Sequence, residues 1–397
     1  MARQNDTLYN RQFLFFFSYN FFMALNFSSN AIYPLYVKSM GGTAQTVGAF
    51  MGVASLSAVV ARPLVGWLID RFGGRKVLII GSLAMSLPSL GYLALLDQGL
   101  SPLVWLLRIV HGFGFGAHFS AFFASAAQSA PKNRRNEAIA MYGFSGLCAH
   151  LIGPFLSETI HDHYGLSTFF LVVTGFGLVA LMIMLFLARQ PKPEPNGSLP
   201  LFSGTLQLLM KRELRFVYLL AFLLSVLYST PPTFLAPLAR ERGVFHFGLY
   251  FTGYGMMGMF IRLLGKRWGD RLGLRRVLAP SFVVYSLAML TLFFARSTEM
   301  VMLAGGFSGL AHGIAFPAVN ALAYNRAPRG SEGSVIALLT GMMDVGTMAG
   351  AFLLGLLAEF TGYPYVFPAA ASAGLFASML LVISILKRPE VIQEIKG

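Results

Sequence analysis

Four charged side chains stand inside runs of sequence that are otherwise apolar: Arg62, Arg108, Arg262 and Asp344. A charge within a membrane-length apolar run is costly and by default functional. Asp344 lies ten residues into its run, about 15 Å at a helical rise of ~1.5 Å per residue. That puts a carboxylate near a bilayer midplane, where its protonation answers to its surroundings. It is the first candidate for a proton carrier, with a fixed pair to Arg262 or Arg62 as the competing role. Arg108 is the candidate contact for a substrate or a proton relay, against a role as packing anchor. His118 and His150 fall near mid-span and can titrate near neutral pH. His111 and His312 fall nearer the outer side, and for each histidine a buried, hydrogen-bonded ring is the plainer expectation. Asn20, Asn26, Asn30, Asn320 and Tyr324 can line a polar cavity. Glu158 and Glu359, near the outer ends of their runs, are expected at the membrane interface.

Other chemistries find no support. Cys148 is the single cysteine, which excludes an intramolecular disulfide and a multi-cysteine metal site. His161 and His163 flank Asp162 in what reads as a solvated turn, no spacing matches a metal site or a catalytic triad, and no cofactor is expected. The run Gly112-Phe-Gly-Phe-Gly116 lacks the strand and the Lys-Ser/Thr of a phosphate loop. Its glycines instead let helices approach closely.

The elements that position these residues follow from two features. The first is composition: 56% hydrophobic and 12% charged over 397 residues, where soluble domains carry about 25% charge. Apolar runs of about 20 residues span a bilayer as helices, and twelve are expected. In the first half they fall at 12–36, 45–68, 77–96, 102–129, 138–159 and 167–188. In the second half they fall at 215–238, 246–266, 277–295, 300–324, 334–359 and 364–386. The first is too long for a cleavable signal peptide, and the Tyr228-Ser-Thr-Pro231-Pro232 run in the seventh is expected to interrupt its helix. A Pro-rich stretch from Arg189 divides the chain into a bundle over 1–188, a linker over 189–214 and a bundle over 215–397. Of the 30 Lys and Arg, 23 fall in alternate loops and at both ends, and four in the opposite loops. This bias places both termini in the cytoplasm and reads the +14 net charge as topology, not as a nucleic-acid surface.

The second feature is a repeat. Gly66, Asp70, Arg71, Gly73, Arg75 and Lys76 recur as Asp270, Arg271, Gly273, Arg275 and Arg276, offset by 200 residues, with Lys266 at the first glycine's place. Arg62 and Arg262 keep the same register, and His111-Gly112 recurs as His312-Gly313. Two like-oriented halves with a site near the midplane are a transporter architecture. Asp70 ends its helix, where a negative charge opposes the helix dipole, so it needs another partner; Arg71 or Arg75 can supply one.

These motifs resemble the major facilitator superfamily. Its loop motif G-x-x-x-D-R-x-G-R-[RK] matches Gly66, Asp70, Arg71, Gly73, Arg75 and Lys76, with Gly74 departing from the usual Arg. Its fourth-helix motif matches Arg108, Gly112, Gly114 and Gly116. Gly153-Pro154 resembles the antiporter motif of the fifth helix, but Ser157-Glu158 replaces its two glycines. Arg62-Pro63 and the segment Phe316 to Ala323 look most like the drug and sugar efflux branch. The resemblance implies an all-α membrane protein of twelve transmembrane helices in two pseudo-symmetric six-helix bundles. It implies a latch in which Asp70 meets the start of the eleventh helix near Ser334, and Asp270 the start of the fifth near Asn136, each an expected N-cap. Gly112, Gly114, Gly116, Gly153 and Pro154 would serve helix packing.

The expected protein is thus not an enzyme but a monomeric alternating-access transporter in a bacterial-type cytoplasmic membrane. It would use a proton gradient to export a small amphiphilic molecule, anionic or zwitterionic given the intramembrane arginines: a drug, a sugar or a metallophore-like metabolite. Proton-symport uptake and lipid translocation are the alternatives.

Overall fold

The computed structural model describes residues 8–129, 131, 134–186, 207–265 and 268–387. Most of the linker lies outside them, as do the side chains of Asp70 and Asp270. The described chain is helical throughout, because a backbone in lipid must satisfy its polar groups within the segment.

The first expected span is α1 (Arg11–Ser28), a 3₁₀ turn (Ser29–Ile32) and α2 (Tyr33–Ser39); the second is α3 (Ala44–Phe72). The third divides into α4 (Gly74–Ser86) and α5 (Pro88–Ala94), since Pro88 has no N–H to continue the ladder. The fourth is α6 (Pro102–Ser129). The fifth and sixth form one run, α7 (Arg135–Leu185), broken at Gly165 with φ 78° and ψ 178°, a conformation open to glycine. The second half holds α8 (Arg212–Glu241), α9 (Leu249–Leu264), the short α10 (Trp268–Leu272), α11 (Leu274–Phe294), α12 (Thr298–Arg326), α13 (Glu332–Thr361) and α14 (Val366–Lys387). The twelve spans of a two-bundle membrane fold are thereby accounted for.

Contacts divide the chain into two compact units, residues 1–36 with 53–199 and residues 37–52 with 200–397. Small residues set the closest helix approaches in each. In the first unit a Cβ at Gly112 would meet the Ala54 carbonyl, one at Gly116 would lie 3.1 Å from the Ala58 carbonyl, and one at Gly114 2.5 Å from the Met85 amide. In the second, Gly305 and Gly309 of α12 bear on the Tyr250 and Tyr254 carbonyls of α9 in the same way.

Two local expectations are overturned. α8 runs unbroken through Pro231, Pro232 and Pro237. The Ser229 and Thr230 hydroxyls donate to the Val226 carbonyl at 3.1 and 2.7 Å, and that of Thr233 to the Ser229 carbonyl at 2.8 Å, re-satisfying backbone around the prolines. The two expected caps are also displaced. α7 starts at Arg135, with Arg134 at its N-cap, and α13 starts at Glu332, with Ser331 at its N-cap. Asn136 and Ser334 therefore lie within the first turns.

Candidate functional site

The repeated hinge is built alike in both units. Gly73 and Gly273 turn the corner at φ 85° and 90°, and α4 and α11 start directly after them. Arg75 donates through Nη2 to the Met184 and Leu185 carbonyls at 3.3 and 3.5 Å, at the end of α7. Arg275 donates through Nη1 to the carbonyl and hydroxyl of Ser384 at 3.1 and 3.0 Å, near the end of α14. Each arginine thus caps the C-terminus of its unit's last helix, where a cation meets the negative end of the dipole. Arg71 lies over the rings of Trp67 and Phe72, 5.1 and 5.6 Å from their centroids. Arg271 is exposed, Gly66 has open space around it, and the side chains of Asp70 and Asp270 lie outside the described residues.

Inside the first unit Arg108 is 2% exposed. Its Nη1 donates to Asn30 Oδ1 at 2.9 Å, and its guanidinium lies 5.0 Å above the Tyr33 ring. The 3₁₀ turn presents Asn30 here, its own amide tied to the Phe27 carbonyl at 2.7 Å. A buried guanidinium held on an amide oxygen and an aromatic face keeps its charge through charge-assisted bonding. The other expected pathway residues of this unit separate into two places. His150 donates from Nδ1 to the Gly146 carbonyl at 3.0 Å, and its ring lies 5.8 Å from Phe27. Phe27 stacks on Phe115 at 4.1 Å, Phe119 follows at 5.9 Å, and Arg62 lies 6.0 Å over Phe119. His118 is instead buried in the interior, with Nδ1 3.0 Å from the Tyr19 hydroxyl. Asn26 is fully buried and donates to the Val173 carbonyl at 2.8 Å, so it faces packed helix and not an open cavity. Asn20 likewise bonds the Tyr142 carbonyl at 2.9 Å and Ser145 Oγ at 2.8 Å on α7.

Two further placements correct the sequence reading. Glu158 is fully buried, not interfacial. Gly153, one turn earlier, admits the Ser28 side chain, and Ser157 donates to Ser29 Oγ at 2.9 Å, so the end of α1 packs over this turn; Pro154 is buried beside it. His111 is buried, but neither ring nitrogen has a hydrogen-bond partner among the described residues. Glu359 is exposed and accepts from the Gln45 backbone at 3.1 Å.

The second unit carries an aromatic enclosure that was not read from the sequence. His312 lies 5.2 Å from Tyr228, 5.7 Å from Tyr254, 6.1 Å from Tyr285 and 5.5 Å from Phe316, on which it stacks. The 201-residue echo of His111 at His312 was the available signal. From His312, Phe316, Asn320 and Tyr324 follow at four-residue steps along α12, one face of a helix. Phe316 and Tyr324 are 37% and 59% exposed, while Asn320 folds its amide onto the Phe316 carbonyl at 2.8 Å. Arg262 and Asp344 are half-buried in this unit. His161 and Asp162, expected in a turn, lie in α7 just before its break at Gly165 and meet each other at 2.9 Å; among the described residues no three metal-ligating side chains converge.

Comparison with known proteins agrees with this architecture. A profile of the Major Facilitator Superfamily matches residues 15–267 and 217–396. The multi-drug resistance efflux pump PmrA of Streptococcus pneumoniae serotype 4 is 26% identical over 369 residues, covering 88% of this chain and 90% of the pump. The multidrug resistance protein MdtG of Citrobacter koseri is 23% identical over 380 residues, covering 90% and 91%. Among solved structures, a point mutant of the nucleoside transporter NupG superposes with a TM-score of 0.80 at 13% identity, covering 94% of this chain and 99% of that one; it shares the fold. The chain belongs to the Major Facilitator Superfamily, and it is a multi-pass membrane protein and a secondary transporter, not an enzyme.

Proposed function

We propose that this transporter exports a small amphiphilic molecule, anionic or zwitterionic, by alternating access in exchange for protons. The observation that carries the reading is the polar and aromatic stripe of α12, half-buried at His312 and Asn320 and exposed at Phe316 and Tyr324. A face of that composition within a membrane span offers stacking surface and hydrogen bonds to a cargo with an apolar body and a polar end. The efflux names of PmrA and MdtG support the outward direction. In this reading Asp344, half-buried on α13, carries the coupling proton, and buried Arg108 holds an anionic group of the cargo or steers that proton. Asp70 and Asp270 latch the alternate states. The protein works as a monomer in the cytoplasmic membrane with both termini inside, and it needs the proton gradient but no cofactor.

The test is reconstitution in proteoliposomes under an imposed pH gradient, with a panel of fluorescent zwitterionic and anionic amphiphiles. Cargo moving against the proton flux is the expected result; cargo moving with it would establish symport uptake. Asp344→Asn is expected to abolish gradient-driven movement and to leave cargo counterflow intact. Undiminished gradient-driven transport by that variant removes Asp344 from the role.

A further inference from the structure

Within the first unit, five helices of three spans contribute a column of buried polar groups. α1 and α2 supply Tyr19, Asn26 and Tyr33, spaced by seven residues; α4 and α5 supply Ser82, Ser86 and Ser89; α6 supplies His118 at one end and His111 with Arg108 at the other. These spacings of three, four and seven keep each set on one helix face. The close approach of α4 to α6 through Gly81 and Gly114 brings the serines into the same interior as the histidines. From His111 to His118 the column covers about 10 Å along α6 at ~1.5 Å per residue.

Its inner end is a complete hydrogen-bonded relay. The Tyr19 hydroxyl lies 2.6 Å from Ser82 Oγ and 3.0 Å from His118 Nδ1. A hydroxyl has one proton, so the chain has two polarities: Ser82 to Tyr19 to His118 Nδ1, or the reverse. A proton arriving at Ser82 Oγ displaces the serine's own proton to Tyr19 and the tyrosine's to Nδ1, leaving imidazolium and no broken heavy-atom bond. The outer end has Tyr33 3.3 Å from Ser89 Oγ, with Arg108 over the Tyr33 ring and His111 5.6 Å from it. Between them lie buried groups whose hydrogen-bonding capacity is unfilled among the described residues: Asn26 Oδ1 and Ser86 Oγ in the middle, and both His111 nitrogens beyond them. Asn26 and Ser86 both border Gly177, where a Cβ would collide with Ser86 Oγ and sit 3.5 Å from Asn26 Nδ2. Unsatisfied buried groups cost free energy, and a donor–acceptor set of this kind is what a bridging water takes up.

Packing alone does not call for this column. At the same repeat register, offset by 201 residues, the second unit has Val319 for His118 and Gly309 for Arg108. There Ser281 turns its hydroxyl onto the Val277 carbonyl of its own helix at 2.7 Å, and Ser286 bonds only backbone, the Phe282 and Ala371 carbonyls, each at 2.9 Å.

We infer that this column is a water-completed proton path through the interior of the first unit, with His118 as the acceptor at one end. The inference rests on the proton coupling proposed above. The titratable and charged groups facing the column are Tyr19, Tyr33 and Tyr36 from the first span, Tyr92 from α5, whose ring lies 5.4 Å from that of Tyr36, Arg108, His111 and His118 from α6, and Tyr142 from α7, whose ring stands beside that of Phe122 next to His118. Arg108 lies one helical turn from His111 and opposes a second positive charge there, so of the two rings His118 is the one that takes up the proton in transit.

The experiment measures cargo-coupled proton flux with an entrapped pH dye in proteoliposomes, beside cargo counterflow without a gradient. Tyr19→Phe keeps the ring and removes the relay hydroxyl; Ser86→Ala removes the middle one. Each is expected to lower proton flux by about a hundredfold, the scale of a lost proton-transfer group, with counterflow retained; Ser281→Ala is expected to change neither. Normal proton flux in both Tyr19→Phe and Ser86→Ala overturns the path while leaving proton coupling standing. Absence of gradient-driven transport in the unsubstituted protein overturns the coupling, and the path with it.

Discussion

The environment of Arg108 makes a prediction whose sign, and not only its size, can be checked. The guanidinium is 2% exposed and uses Asn30 Oδ1 as an acceptor at 2.9 Å. Asn30→Ala leaves the charge in place and removes that acceptor. A hydrogen bond to a charged group is worth about 1.5–3 kcal/mol, so a loss of about 2 kcal/mol is expected. Arg108→Met acts differently, because it also removes the cost of burying the ion, several kcal/mol in a protein interior. Set against that gain are the lost bond, a cation–π contact of up to about 2 kcal/mol and an orphaned Asn30 amide oxygen. These nearly cancel, and Arg108→Met is expected within about 1 kcal/mol of the parent. The double variant Asn30→Ala/Arg108→Met has neither a buried charge nor an orphaned amide, so it should be more stable than Asn30→Ala alone. Thermal unfolding in detergent, followed by the fluorescence of Trp67 and Trp105 in the same unit, reads this order. Two kcal/mol corresponds to about 4–8 °C for a unit of 150–250 residues. A double variant destabilised by the sum of the two single changes would refute the idea that Asn30 serves to solvate a buried charge.

Four shorter predictions separate packing from gating. A Cβ at Gly114 would fall 2.5 Å from the Met85 amide, and one at Gly112 would meet the Ala54 carbonyl; Gly112→Ala and Gly114→Ala should each cost about 1–3 kcal/mol by overpacking, seen as a lower melting temperature. Nothing lies within 4 Å of a Cβ at Gly66, so Gly66→Ala should be stable, with a helix gain of about 0.5–1 kcal/mol, and a transport defect there with undiminished melting would mark a role in motion. Arg275→Ala removes two bonds at the end of α14 and should cost about 1–2 kcal/mol, with Arg275→Lys recovering only part because a point charge cannot reproduce the guanidinium fork. Asp70→Asn should shift cysteine labelling of the outer cavity toward its protected pattern, and unchanged labelling would dismiss the latch.

The spans were legible because a bilayer demands length and apolarity, and both are visible in a one-dimensional string. The run expected at 300–324 is the helix Thr298–Arg326, and the two expected at 138–159 and 167–188 are one run broken at Gly165. The direction in which a side chain points was not legible. A soluble helix shows its polar face, whereas a span apolar on all sides gives no sign of which stripe meets lipid and which meets protein. Asn26 and Glu158 were therefore assigned by depth alone, to a cavity and to the interface, and both are buried between helices. The prolines of α8 misled for a related reason: the Ser and Thr hydroxyls that rescue the backbone are as visible as the prolines, but their rotamers are not. The repeat carried the most information, through its exceptions. Where both halves keep a residue, as with Gly73 and Gly273 or Arg75 and Arg275, the structure shows the same corner and the same helix cap. Where they differ, the second unit shows what packing alone requires. Gly309 sits where a Cβ would strike the Tyr254 carbonyl, and Val319 is a fully buried core residue. Arg108 and His118 hold those positions in the first unit, at the expense of desolvating a charge and an imidazole. A bundle that folds with glycine and valine at these sites has no structural need of arginine and histidine, so the chemistry particular to this transporter is to be sought where its halves disagree.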